Sequence, residues 1–259
     1  MKEQLEWSEA QYWNRPWNPW IGCEAESPAC ANCYARDIVR RFNMTGVDSS
    51  DFRPVKKENR SGSARIPTKG VVFCGNMTDL FGRWVPPEER VQNIVRTTGN
   101  PNATYLWLTK RPFNMAEAVA SFLNGPHEVR NQWFGFTAED QTRYDERIVA
   151  FEWMPERANL WISAEPLLGP LDLDLNGAGR RIGWVVVGCE SGPKRRPCSI
   201  EWIEDVVRQC ASADHPVKVF VKQLNIGGKC VNDVSAFPDG LRVRQVPWFQ
   251  TSAAGEVRR

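Results

Sequence analysis

The residues best able to do chemistry sit together in WNPWIGCEAESPACANCYARDIVRRF, where Cys23, Cys30 and Cys33 are separated by six residues and then two. Three thiolates this close, in a loop that also holds Gly22 and Pro28, can converge on one metal centre. Thiolates are soft ligands that suit iron–sulfur clusters or zinc. A 4Fe–4S cluster held by three cysteines leaves one iron without a protein ligand. That iron can bind the amino and carboxylate groups of S-adenosylmethionine (SAM). An electron from the cluster then splits the sulfonium C–S bond and yields a 5′-deoxyadenosyl radical. Two other readings stand beside this one. A zinc site could be completed by Cys74, Cys230 or a histidine, although the chain has no second C-x2-C. The three thiols could also be ordinary small buried groups.

A second set of polar residues follows short apolar runs. Val71–Cys74 is followed by Gly75, Asn76 and Asp79, Tyr105–Leu108 by Thr109, Lys110 and Arg111, and Trp133–Phe136 by Thr137 and Glu139. Glu165 follows LWISA, Cys189 and Glu190 follow WVVVG, and Lys222 and Gln223 follow VKVFV. Glu165 precedes Pro166, which restricts its backbone. Glu165 and Glu190 can accept hydrogen bonds from a bound ligand, and Lys222 can take a carboxylate or phosphate. Gly75, Gly188 and Gly192 allow close approach of a ligand to the backbone. Cys189 can donate a hydrogen atom to a product radical; an inert buried thiol is the plainer alternative. Plainer readings stand beside these: Thr137 and Asp79 as helix caps, Lys110 or Arg111 as a solvated loop charge, and Glu165 as one side of a structural ion pair with an arginine.

These positions need elements that gather them. The apolar runs suit strands covered on both faces, and Trp17–Ile21 is a further candidate weakened by Pro19. Helical spacing lies between them. Val91, Ile94, Val95 and Thr98 share a face after Pro86-Pro87, with Glu88 and Glu89 in the first turn. Tyr144, Ile148 and Phe151 follow a Thr137…Asp140 cap signal. Ile200, Ile203, Val206, Val207 and Cys210 follow Ser199 as N-cap. Ala35, Arg36, Ile38, Val39 and Phe42 read as a helix leaving the cysteine loop. Strand–helix alternation predicts an α/β fold with a parallel sheet of six to seven strands, closed or partly closed. In such a fold the strand C-termini share one rim. Trp13, Trp17 and Trp20 are placed to shield a cluster from water.

Hydrophobic residues make up 42% of the 259 residues and charged ones 25%, which predicts a globular chain. The 33 basic and 31 acidic residues, net +2, neither demand nor exclude nucleic acid. No apolar h-region opens the chain and no run approaches the ~20 residues of a membrane span, so the expectation is a cytoplasmic protein without a membrane partner. Eight cysteines without export signals argue against a disulfide framework. Two histidines, His127 and His215, count against a third class, a metal-dependent hydrolase. One domain over 1–259 is expected, with a polar insertion at 43–69 and a frayed tail from about 250. Arg180-Arg181 with Lys194–Arg196, and Lys56-Lys57-Arg60 with Arg65 and Lys69, could meet phosphates or be solvated.

The blocks WNPWIGC…SPACANCYA, VVFCGNMTDLF, YLWLTKRP, FGFTAEDQ, ISAEPLLGPLDL, WVVVGCESGP and VFVKQL run in order through most of the chain. Together they resemble a phage- and bacterium-associated family of radical-SAM-like, three-cysteine-motif proteins distantly similar to spore photoproduct lyase. The resemblance implies a 4Fe–4S cluster on Cys23, Cys30 and Cys33, SAM as co-substrate, and a parallel partial TIM-type barrel. A nucleic acid or nucleotide as substrate, for modification or repair, follows by analogy. The electron would come from a reductant protein such as a flavodoxin or ferredoxin. Cofactor contacts are then expected from Gly75, Asn76, Asp79, Thr137, Glu139, Glu165 and Glu190, with Cys189, Glu165 and Lys222 nearest the reaction. The sequence departs from the common radical SAM pattern, which spaces its cysteines by three and then two and carries Gly-Gly-Glu where Cys74-Gly75-Asn76-Met77 stands here. The competing function is a non-catalytic iron–sulfur or zinc module that contacts DNA or a protein.

Overall fold

A computed structural model describes residues 11–44, 52–57, 65–123 and 130–248. The tail from about 250, His127 and much of the polar insertion, including Arg60, lie outside the described residues. The first strand is β1 (Arg15–Trp17), and a short antiparallel pair follows from β2 (Trp20–Ile21) and β3 (Val55–Lys56). The main sheet continues with β4 (Gly70–Cys74), β5 (Ala103–Thr109), β6 (Gln132–Thr137), β7 (Asn159–Ala164), β8 (Ile182–Gly188), β9 (Lys218–Ile226) and β10 (Lys229–Val231). Its order is β1-β4-β5-β6-β7-β8-β9-β10. Neighbours from β1 to β9 are parallel, and β10 turns back antiparallel on β9. The sheet therefore has seven parallel strands and one antiparallel strand, against an expected six to seven in all. The Gly227-Gly228 turn adds the last as a hairpin, which the short sequence KCV does not announce. The sheet curls into a half-barrel with helices on its outer face.

The helices are α1 (Tyr34–Phe42), α2 (Pro87–Thr98), α3 (Pro112–Leu123), α4 (Gln141–Ile148) and α5 (Ile200–Ser212). Pro87 opens α2 with Glu88 and Glu89 in its first turn, where a fixed φ and negative charge suit the free N–H groups. Asp140 caps α4 by accepting from Arg143 N at 2.8 Å. Ser199 precedes α5, but its hydroxyl bonds Glu201 rather than the helix backbone. The helix α3 has no counterpart in the sequence reading, although Pro112 at its start and buried Met115, Val119 and Phe122 at helical spacing signal it.

Alternation along the strands divides the interior in two. Outward residues such as Val72, Tyr105, Trp107, Phe134, Phe136, Ile162, Val185 and Val221 pack under the helices. Inward residues Val71, Phe73, Leu106, Trp161, Trp184, Val186 and Phe220 form a second core with Tyr12. Trp17 belongs to the outer core, against Trp107 at 6.1 Å. Its strand register points it away from the cysteine loop. Val243 and Gln245 hydrogen-bond the outer edge of β9, and Trp248 packs beneath the inner core.

Candidate functional site

The cysteine loop leaves β2 and enters α1, whose N-cap is Cys33. Gly22 has φ +86, and a Cβ there would stand 2.1 Å from Arg53 O. Only glycine lets these backbones approach this closely. Cys23 N donates to Phe52 O at 2.8 Å, and Gly22 N to Met77 O at 3.1 Å. Thr78 Oγ1 donates to Gly22 O at 2.6 Å.

Two charged braces then hold the loop. Arg111, just past β5, pairs with Asp79 at 3.1 Å and Glu26 at 2.7 Å, and it donates to Glu24 O at 3.3 Å. On the other side, Glu190 accepts from Asn32 Nδ2 at 3.0 Å, from Arg196 N at 2.8 Å and from the Arg196 guanidinium. Arg196 also donates to Pro28 O at 3.0 Å. Burial alone would raise the Glu190 carboxyl, but the hydrogen bonds from Arg196 and Asn32 prevail and hold it below the usual carboxylate range. None of the braces from Asn32, Arg111 and Arg196 was legible in the sequence, because their partners lie 6 to 168 residues away.

One cavity of about 510 Å³ opens at the C-terminal ends of the parallel strands. That lies within the usual range of ligand sites, about 300–1,000 Å³. Cys23, Cys30 and Cys33 line it, as do Gly75, Asn76, Asp79, Thr137, Glu165, Cys189, Glu190 and Lys222. The expectation that polar strand ends and cysteine loop share one rim is met by these positions. Glu165 takes a hydrogen bond from Tyr12 Oη at 3.1 Å and an ion pair from Lys222 Nζ at 2.8 Å. Lys110 reaches Thr137 Oγ1 at 3.3 Å. Tyr12 was missed by sequence reading, since it precedes the first strand.

Some expected contacts are otherwise engaged. Asp79 accepts from Phe81 N, Thr109 Oγ1, Lys110 N and Arg111, so it ties two strand-end loops together and has little left for a ligand. Asn76 Oδ1 accepts from Asn18 at 2.6 Å. Glu139 is absent from the cavity wall. It is fully buried and paired with Arg147 at 2.6 Å. Burial would raise its carboxyl, and the charges of Arg147 and Lys110 overcome this and lower it. Of the tryptophans assigned as shields, Trp13 reaches the cavity, whereas Trp20 donates to Glu89 at 2.9 Å. Arg181 is spent on the carbonyls of Phe151, Met154 and Pro155.

As a donor set, the three loop thiols are free, partly exposed and face one cavity. In kind they suit a thiolate-held group. Among the described residues no three His, Cys, Asp or Glu side chains are drawn together to hold a single metal ion. Burial, reinforced by the Asp79 carboxylate, pushes the Cys23 thiol up to about 12, so a bound metal would have to displace its proton. Cys189 Sγ lies 3.9 Å from Cys230 Sγ, and its thiol is raised by burial and then by Cys230. No helix among the described residues is long and apolar enough to cross a membrane. Residues 3–238 match the model of one family, described as a protein of unknown function (DUF5131). No curated protein and no solved structure matches the chain.

Proposed function

Since the chain belongs to the DUF5131 family, whose description assigns no activity, we propose from the site itself that it is a radical SAM enzyme. In this reading Cys23, Cys30 and Cys33 hold a 4Fe–4S cluster at the mouth of a TIM-type partial barrel. The supporting observation is that all three thiols line the same cavity as the polar strand ends. When bound, the cluster supplies reductive cleavage of SAM and, through it, hydrogen abstraction from a substrate.

The chain's own residues do the rest. The Arg111 and Glu190–Arg196 braces hold the loop in place before the cluster is loaded. Lys222 and Glu165 offer a cation and a carboxylate to the ligand's own charged ends. Thr137 and Lys110 add hydrogen bonds from the neighbouring strand ends. Cys189 stands in the wall as a hydrogen-atom donor to a product radical. We attach a nucleic acid or nucleotide substrate to this reading. On α1, beside the cavity, Tyr34 and Phe42 are exposed at the two ends of a stretch that carries Arg36, Arg40 and Arg41, a combination of rings and positive charge that suits stacked bases. A flavodoxin- or ferredoxin-type protein would supply the electron.

The test is anaerobic reconstitution with iron and sulfide, followed by metal analysis and a dithionite-reduced incubation with SAM. Iron should bind, 5′-deoxyadenosine should form, and Cys30→Ala should lose the iron. Cys210→Ala, in the apolar stripe of α5, should keep it. Stoichiometric zinc with no iron would sink the reading in favour of a binding module.

A further inference from the structure

The inward face of the half-barrel is filled unusually. Parallel barrels pack their interiors mainly with Val, Ile and Leu. Here Tyr12, Phe73, Trp161, Trp184 and Phe220 are buried there, with Trp133 and Trp248 against them. The rings form a continuous column. Tyr12 lies 5.3 Å from Trp184 and 6.1 Å from Trp161 between centroids. Trp161 and Trp184 stack at 4.9 Å, and Trp184 meets Trp248 at 5.0 Å. Trp133 meets both Trp184 and Trp248 at 6.4 Å.

The two ends of the column differ in chemistry. Tyr12 lines the cavity, and its hydroxyl donates to Glu165 Oε2, whose other oxygen pairs with Lys222. Burial, then the Glu165 charge, raises the phenol, so it stays protonated until it is oxidised. Trp133, Trp161 and Trp184 stand in the first half of their strands, at the end of the sheet away from the cavity. There Trp133 and Trp248 are only half-buried. Indole and phenol are among the side chains most easily oxidised by one electron, at similar potentials. Electron tunnelling slows steeply with distance, so rings in contact carry charge in short hops.

We propose that this column carries single oxidising equivalents between the cavity and the far end of the sheet, with Tyr12 as its cavity terminus. A carbon-centred radical in the cavity that Cys189 has not quenched takes the hydrogen atom of Tyr12 O–H, forming a C–H bond and a phenoxyl. Trp184 passes an electron to the phenoxyl, which regains a proton from the Glu165–Lys222 pair, itself restored by solvent. Trp248 re-reduces Trp184, and a small thiol in solution gives an electron to Trp248 and a proton to water. The net change is reduction of the cavity radical and oxidation of the thiol to a thiyl. The column's use rests on the radical reading for its oxidant, but its conduction does not.

The experiment therefore uses the full chain without metal and supplies its own oxidant. Pulse radiolysis in azide solution generates the azide radical, which oxidises indoles to indolyl radicals and is reduced to azide. The expected result is conversion of indolyl to phenoxyl absorbance, the same ring-to-ring hops run in reverse, settling at a mixture of the two radicals because their potentials are similar, at a rate independent of protein concentration. Tyr12→Phe should abolish that phase. Trp184→Phe should slow it about tenfold or more, equivalent to about 1.4 kcal/mol of added barrier. Trp202→Phe, on α5, should leave it unchanged. Should Trp184→Phe fail to fold, Trp248→Phe at the half-buried end should lower the phenoxyl yield instead. An unchanged phase in Tyr12→Phe, or in both Trp184→Phe and Trp248→Phe, overturns the proposal. So does a rate proportional to protein concentration. None of these outcomes depends on whether iron binds.

Discussion

Buried charges at the rim are committed to partners rather than free for a ligand. Glu139 shows this most clearly, with a carboxylate that is fully buried against Arg147. Glu139→Gln removes one partner and strands the Arg147 charge, which should cost about 3 kcal/mol or more. Urea unfolding measures it. Because the folded Glu139 carboxyl is lowered, its contribution is present above the ordinary carboxylate pKa of about 4.3 and is lost as pH falls through the lower folded value. The gap between wild type and variant should accordingly shrink in acid; a gap constant down to strongly acidic pH would contradict the pairing. At Glu190, Glu190→Gln should loosen the cysteine loop without unfolding the protein. Hydrogen exchange over residues 27–33 should rise in the variant, since the neutral amide keeps one acceptor oxygen where Asn32 and Arg196 now share a carboxylate with two, and the charge that holds Arg196 is gone.

At the level of elements, one glycine shapes the inward face. The Trp161 indole on β7 crosses β6 to donate to Trp107 O at 3.1 Å on β5. Gly135 lies beneath it, and a Cβ there would meet Trp161 Nε1 at 2.5 Å. Gly135→Ala should destabilise by about 1–3 kcal/mol through overpacking. Gly183→Ala is the matched control, because its Cβ would find Trp133 at an ordinary 3.5 Å. Thermal midpoints of the two variants should separate clearly. If they shift equally, the indole is not held in this crossing.

At the scale of the whole molecule, the chain after Leu241 completes the sheet. Val221 N bonds Val243 O at 2.8 Å, Gln245 N bonds Val219 O at 2.9 Å, and Trp184 Nε1 bonds Gln245 O at 3.0 Å. Truncation after Leu241 would expose the edge of β9 and the lower aromatic layer at once. Unpaired edges and open apolar faces invite association. The truncated chain should bind a hydrophobic dye and aggregate on heating, whereas a cooperative melt at the wild-type midpoint would show that these contacts are dispensable.

Much of this protein could be read before any coordinates. The apolar runs VVFC, YLWL, WFGF, WVVV and VKVFV are continuous because both faces of a parallel strand are covered, and the polar residues after them mark the rim because parallel strands end together. The three-cysteine loop was legible because its residues are neighbours in sequence. The tertiary structure decided which polar residues remain available to a ligand. Asp79, Glu139 and Glu190 look alike as acids after strands, yet each is claimed by partners from distant segments: Arg111, Arg147 and Arg196 with Asn32. Glu165 is also paired, but with cavity-facing Tyr12 and Lys222. Residue type records what a side chain can do, whereas long-range packing decides what it touches, and that division separates a brace from a binding group.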